Sequence, residues 1–141
     1  VALALDQLGE AAPARALGED TLQRARRILG PDHPTTLLAA TAVTVALIEL
    51  GEATPACTLG EDTLQRARRV LGPDHTTTLF TAAALTYALT GLGEGDAARA
   101  LGEDTLQRAR WVLGPDHPTT LLAAAALTVA LMALGEVGQG P

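Results

Sequence analysis

The sequence reads as an all-α solenoid of antiparallel helix pairs. Three observations carry that reading: a segment that recurs at a fixed spacing, a pair of helix-stop signals in each recurrence, and an apolar composition nearly free of aromatic side chains. The string LGEDTLQRAR starts at Leu17, Leu59 and Leu101, and LGPDH follows each time at Leu29, Leu71 and Leu113, a period of 42 residues. Residues 17–58 and 59–100 agree at 28 of 42 positions, and Val1–Glu10 fits the same register against Val43–Glu52. A period of this length marks a stack of like units, each burying its apolar face on the next. Apolar residues make up 48% of the chain, yet Phe80, Tyr87 and Trp111 are its only aromatic ones. A core rich in Ala, Leu and Thr suits closely spaced helices.

In this register the chain is a single array over 1–141. It divides into a partial repeat (1–16), two repeats (17–58 and 59–100), and a repeat lacking its following helix (101–141). Each repeat holds two helices, A and B. Val1–Leu8 is the back half of an A helix, so the expected order is A stub, B, A, B, A, B and a final A over 118–134. The complete A helix runs over 34–50. His33-Pro34 starts it, because the residue before proline avoids the α region and proline suits the first helical position. Gly51 stops it. The B helix runs over 54–71, with Glu61 and Asp62 in its earlier half and Arg66, Arg68 and Arg69 in its last turns, which suits the helix dipole. Asp20 with Arg24, Asp62 with Arg66 and Asp104 with Arg108 lie four apart, as helical ion pairs do. Gly72-Pro73 ends that helix. The turns are expected at 30–33, 72–75 and 114–117.

These residues resemble a family. The unit of A helix, LGE, B helix and ARRVLGPDHPTTL is similar to the 42-residue variety of tetratricopeptide repeat found in kinesin light chain and in actinobacterial repeat proteins. The resemblance covers the whole chain. It implies a right-handed superhelix whose A helices line a concave groove, and a non-catalytic protein–protein interaction scaffold. Family members carry Asn in the middle of helix A to grip a peptide backbone. Here those positions hold Thr41-Ala42, Ala83-Ala84 and Ala125-Ala126, a departure from that mode of recognition.

Comparing the copies with one another separates two stripes on helix A. Leu37, Ala40, Thr44 and Leu47 recur unchanged as Leu79, Ala82, Thr86, Leu89 and as Leu121, Ala124, Thr128, Leu131. That stripe reads as the A-to-B packing seam. The neighbouring stripe varies: Leu38, Thr41, Val45, Ile48, then Phe80, Ala83, Tyr87, Thr90, then Leu122, Ala125, Val129, Met132. It packs on the next A helix, or part of it lines an apolar groove for a partner with apolar anchors. In the second case Leu38, Val45, Phe80, Tyr87, Leu122, Val129 and Met132 are the contact residues. A membrane span is a poor reading of a 17-residue helix of Ala and Thr.

Other functions lack the residues they need. All ten basic residues are Arg and the net charge is −6, a balance that opposes binding to nucleic acid or anionic lipid. The absence of Lys and Ser removes Schiff-base, P-loop and serine chemistry. The pairs Asp32-His33, Asp74-His75 and Asp116-His117 are spaced a repeat apart, so their imidazoles cannot converge on one ion. They read as turns, with the Asp capping helix A. Neither a metal nor a cofactor is expected. Cys57 replaces Arg15 and Arg99 of the other copies, which suggests an exposed or boundary site and a spectator thiol. Trp111 replaces Arg27 and Arg69 and is either a partner anchor or packed on the last helix. The Arg-rich ends of the B helices read as a solvated face.

The competing function is structural self-assembly. The final helix leaves Leu121, Leu127, Leu131 and Leu134 without a seam, and an exposed apolar face of that kind marks an interaction site. Unlike ends meet head to tail, giving rings or filaments. In register, however, Val1–Leu8 and residues 127–134 of a neighbour claim the same place, so the stub is displaced or the ends meet otherwise. Val1 is not an initiator Met and no secretory signal is visible, so the chain is expected to begin inside a longer protein, cytoplasmic by default.

Overall fold

The computed structural model describes the backbone of residues 2–138 and the side-chain surroundings of residues 10–135. Among these residues there are six helices and no strand: α1 (Ala2–Ile28), α2 (Pro34–Glu49), α3 (Ala53–Val70), α4 (Thr76–Leu92), α5 (Gly95–Val112) and α6 (Pro118–Gly138). Each helix packs on the next, and the A helices α2, α4 and α6 also meet one another, α4 and α6 more extensively than α2 and α4. The LGPDH segments form the turns at 30–33, 72–75 and 114–117.

The constant stripe is the seam. Leu37 and Leu79 are each 1% exposed, and Ala40, Thr44, Leu47, Ala82, Thr86 and Leu89 are buried with them. Thr44 and Thr86 tolerate this because each hydroxyl donates to a carbonyl one turn back, that of Ala40 or Ala82, at 2.9 Å. Their methyls reach Gly60 and Gly102, in the B helix that follows. A second row, Val43, Leu85 and Leu127, lies over Gly18, Gly60 and Gly102 of the B helix that precedes. Thus α3 and α5 each sit between two A helices, with Gly60 and Gly102 facing side chains of both, whereas α1 packs on α2 alone.

In α6 the seam opens. Leu121 is 56% and Leu131 46% exposed. The expected set of unpartnered leucines is corrected at two positions, however. Leu127 packs over Gly102 and Leu134 over Gly95, because they belong to the row that faces the preceding helix. The helix is also longer than expected. Its window Pro118–Gly135 has a mean hydropathy of 1.8 and could cross a bilayer by length and composition. Its packing is that of the third A helix: Ala123 is buried in one cluster with Ala83 of α4 and Leu106 of α5, and Ala130 in another with Leu89 and Ala98.

The triplet LGE has two conformations. At Gly51 and Gly93 the backbone takes φ of 77° and 88°, the left-handed region that glycine adopts without penalty. The amides of Glu52 and Glu94 then bond the carbonyls of Leu47 and Leu89 at 2.9 Å, closing the end of each A helix. At Gly9 and Gly135 the helix continues. The expected A stub is therefore not a separate element but the first two turns of α1. Pro13 falls inside α1 as a result, and it cannot donate the helical bond to Gly9.

Thr36 and Thr78 are buried with hydroxyls that have no hydrogen-bond partner among the described residues, whereas Thr120, their counterpart, donates to the Ala109 carbonyl at 3.2 Å. Thr78→Val is accordingly expected to be neutral or stabilising by up to about 1 kcal/mol, and Thr120→Val to cost about 1 kcal/mol. Urea denaturation of the two variants reads the difference.

Candidate interaction surface

The varying stripe is divided by depth. Thr41 and Ala83 are core: the Thr41 hydroxyl lies 2.8 Å from that of Thr81, bridging α2 and α4. Leu38, Val129 and Met132 are exposed, while Val45, Tyr87 and Leu122 are half-buried and Phe80 lies at the margin of exposure. Between these extremes lies a groove of about 400 Å³ across the three A helices, lined by Val45, Ile48, Phe80, Ala84, Tyr87 and Leu122, with Glu49 as its one charge. Four of the seven expected contact residues meet there. Leu38, Val129 and Met132 do not line it.

Three lining residues were not among the expected contacts: Ile48, Glu49 and Ala84. Ala84 lies four residues after Phe80 and three before Tyr87, the spacing of one helix face. Tyr87 is half-buried, and that burial pushes its phenol up, so the hydroxyl stays neutral and able to donate. Ala83, Ala84 and Ala126 are buried alanines. The groove therefore offers apolar shape in place of amide groups.

The turns are corrected in one respect. The side chain that caps each A helix is the histidine. Nδ1 of His33, His75 and His117 accepts from the amides of Thr35, Thr77 and Thr119 at 3.1 Å. The aspartate is drawn outward instead. Arg66 and Arg69 of α3 reach Asp32 at 2.8 and 3.1 Å, and Arg108 of α5 reaches Asp74 at 3.0 Å. The Arg66 guanidinium, helped by Arg69, holds the Asp32 carboxyl below the usual carboxylate range. Its pairing is thus retained above that range and lost only as pH falls through the lowered value. Asp62 and Asp104 bond the same two arginines within their own helices at 3.0 and 2.9 Å, and Asp20 pairs with Arg24 at 3.2 Å. Arg66, Arg69 and Arg108 thus tie successive repeats together, while Arg24, Arg26, Arg27, Arg68 and Arg110 are exposed.

Cys57 is buried rather than at a boundary. Burial pushes its thiol up, and Glu61 and Glu94 push it further, which removes the thiolate that reactivity requires. Trp111 is 90% exposed, so it is not packed on the last helix. No cluster of three or more His, Cys, Asp or Glu side chains able to hold a metal ion occurs among the described residues.

A family model described as tetratricopeptide repeat matches residues 1–35, 36–77 and 79–119. No curated protein matches the chain.

Proposed function

Because the chain belongs to the tetratricopeptide repeat family, whose members are in general non-enzymatic protein–protein interaction scaffolds, we propose that it holds a partner protein in the groove across α2, α4 and α6. The observation that carries this reading is the groove's lining: five large apolar side chains around a single carboxylate. Such a surface favours a segment that inserts apolar anchors and sets a basic residue opposite Glu49. Binding energy in such interfaces concentrates on a few well-packed aromatic anchors, each worth about 2 kcal/mol or more. Phe80 and Tyr87, seven residues apart on one face, are those anchors.

A peptide library carrying paired apolar residues and one arginine supplies the probe. Phe80→Ala with Tyr87→Ala is expected to weaken the selected peptide at least about thirtyfold, with far-UV circular dichroism unchanged. Undiminished binding, or loss of helicity in place of loss of binding, sinks the groove reading.

A second reading is self-association through the two ends of the solenoid. It is supported by the exposed leucines of the α6 seam, Leu121 and Leu131.

A further inference from the structure

We propose that Trp111 and Asp74 together form a docking point for an arginine side chain carried by a partner protein. None of the residues involved lines the groove across α2, α4 and α6, so this is a second interaction site, independent of the first. Three observations carry it.

The first is a substitution within a repeated ion pair. At the turn before α2, Oδ1 of Asp32 accepts from two arginines of α3, Arg66 at 2.8 Å and Arg69 at 3.1 Å. At the turn before α4, Arg108 of α5 reaches Asp74 at 3.0 Å, but Trp111 stands at the position of Arg69. Among the described residues, Asp74 therefore pairs with one arginine where Asp32 pairs with two. The Asp74 and Arg108 side chains are correspondingly more exposed than those of Asp32 and Arg66.

The second is that the indole faces solvent because of its place in the repeat. Trp111 is 90% exposed. Arg69, at the equivalent position, has a helix pair on either side, and its side chain is still 63% exposed. Asp104, Arg108 and Trp111 are spaced four and three, so they share one face of α5. Arg108 ties that face to the turn before α4. Trp111 thus borders the preceding repeat, not the side on which a further helix pair would stack.

The third is charge. Asp74, Glu103 and Asp104 line one concavity with Trp111 and the exposed Val112, against Arg108 and Arg110. That sets three carboxylates against two guanidinium groups. The equivalent residues one repeat earlier are balanced, with Asp32, Glu61 and Asp62 against Arg66, Arg68 and Arg69. Tryptophan in place of arginine therefore leaves an unbalanced negative charge beside an open aromatic face. A guanidinium matches both, because it stacks on an indole as a cation and bonds a carboxylate through paired N–H groups. An ammonium is compact and strongly hydrated and does less of each. The incoming group takes the place that Arg69 holds one repeat earlier, and Val112 receives an apolar neighbour.

Trp111 is the only tryptophan of the chain, so its fluorescence reports this site alone. The probe is a blocked peptide with one arginine between two leucines, titrated into the 141-residue chain. A saturable change in emission is expected. Citrulline in place of the arginine keeps the shape and removes the charge, and it should weaken binding about tenfold or more. Asp74→Asn should weaken it about three- to tenfold with circular dichroism unchanged. Trp111→Arg restores the residue of the other two copies, and calorimetry should find binding lost and helicity kept. Phe80→Ala with Tyr87→Ala should leave this binding intact, which separates it from the groove. No saturable change at millimolar peptide overturns the proposal, as does equal affinity for arginine and citrulline, or undiminished binding in Asp74→Asn or Trp111→Arg. An emission shift that follows protein concentration without peptide, or that neutral lipid vesicles produce, places a second copy or a bilayer on the indole and overturns it too.

Discussion

Leu79→Ala is expected to lower the unfolding free energy by about 2–5 kcal/mol, while Leu121→Ala is expected to cost about 0.5 kcal/mol or less. The two leucines hold the same place in the same motif and differ only in what lies over them. Leu79 is 1% exposed in the seam between α4 and α5. Truncating it forfeits the transfer energy of three carbons and leaves a hole that helices on both sides hold open. Leu121 is 56% exposed, so little is lost from an isolated chain. Urea denaturation in dilute solution measures both. Equal losses would mean that α6 is covered as α4 is, and the seam would not be open.

Much of this was legible because the determinants are local. The period, the glycine stops and the proline start place the A helix over 34–50 against an observed Pro34–Glu49. The constant stripe is constant because it faces a constant neighbour. What escaped the sequence depends on contacts made far along the chain. Either side chain of Asp32-His33 can accept an amide; at all three turns the histidine does so, and at two of them arginines of the next repeat bond the aspartate. The match of Cys57 to arginines suggested exposure, but arginine lays its aliphatic stem across a covered site while its head reaches water. Arg15 does this at the equivalent position, bonding Glu19 at 3.1 Å and pairing with Glu52. A thiol there has no reach and is buried. The same limit applies to LGE, since glycine permits both a helix and its reversal. At Gly51 and Gly93 another helix follows the triplet and packs back on the A helix, α3 on α2 and α5 on α4.

The glycine of each LGED string gives the second large effect. Gly60→Leu is expected to destabilise the chain by about 1–3 kcal/mol or more. Residue 60 sits in the middle of α3 with an ordinary helical backbone, so glycine costs about 1 kcal/mol there relative to alanine on propensity alone. Its retention in all three repeats is explained by space. A Cβ at 60 would lie 3.1 Å from Leu85 Cδ1 of α4 and 3.4 Å from Thr44 Cγ2 of α2. The leucine methyl can yield a few tenths of an ångström, so Gly60→Ala balances propensity against crowding and should stay within about 1 kcal/mol of the parent. A leucine side chain has no such escape, because it must separate the two A helices that α3 joins. Gly135, helical and with nothing near its Cβ position, is the control: Gly135→Leu should be neutral or slightly stabilising. Thermal and urea denaturation of the three variants test the ranking. A Gly60→Leu chain as stable as its parent would mean that the A helices are not held together across this glycine.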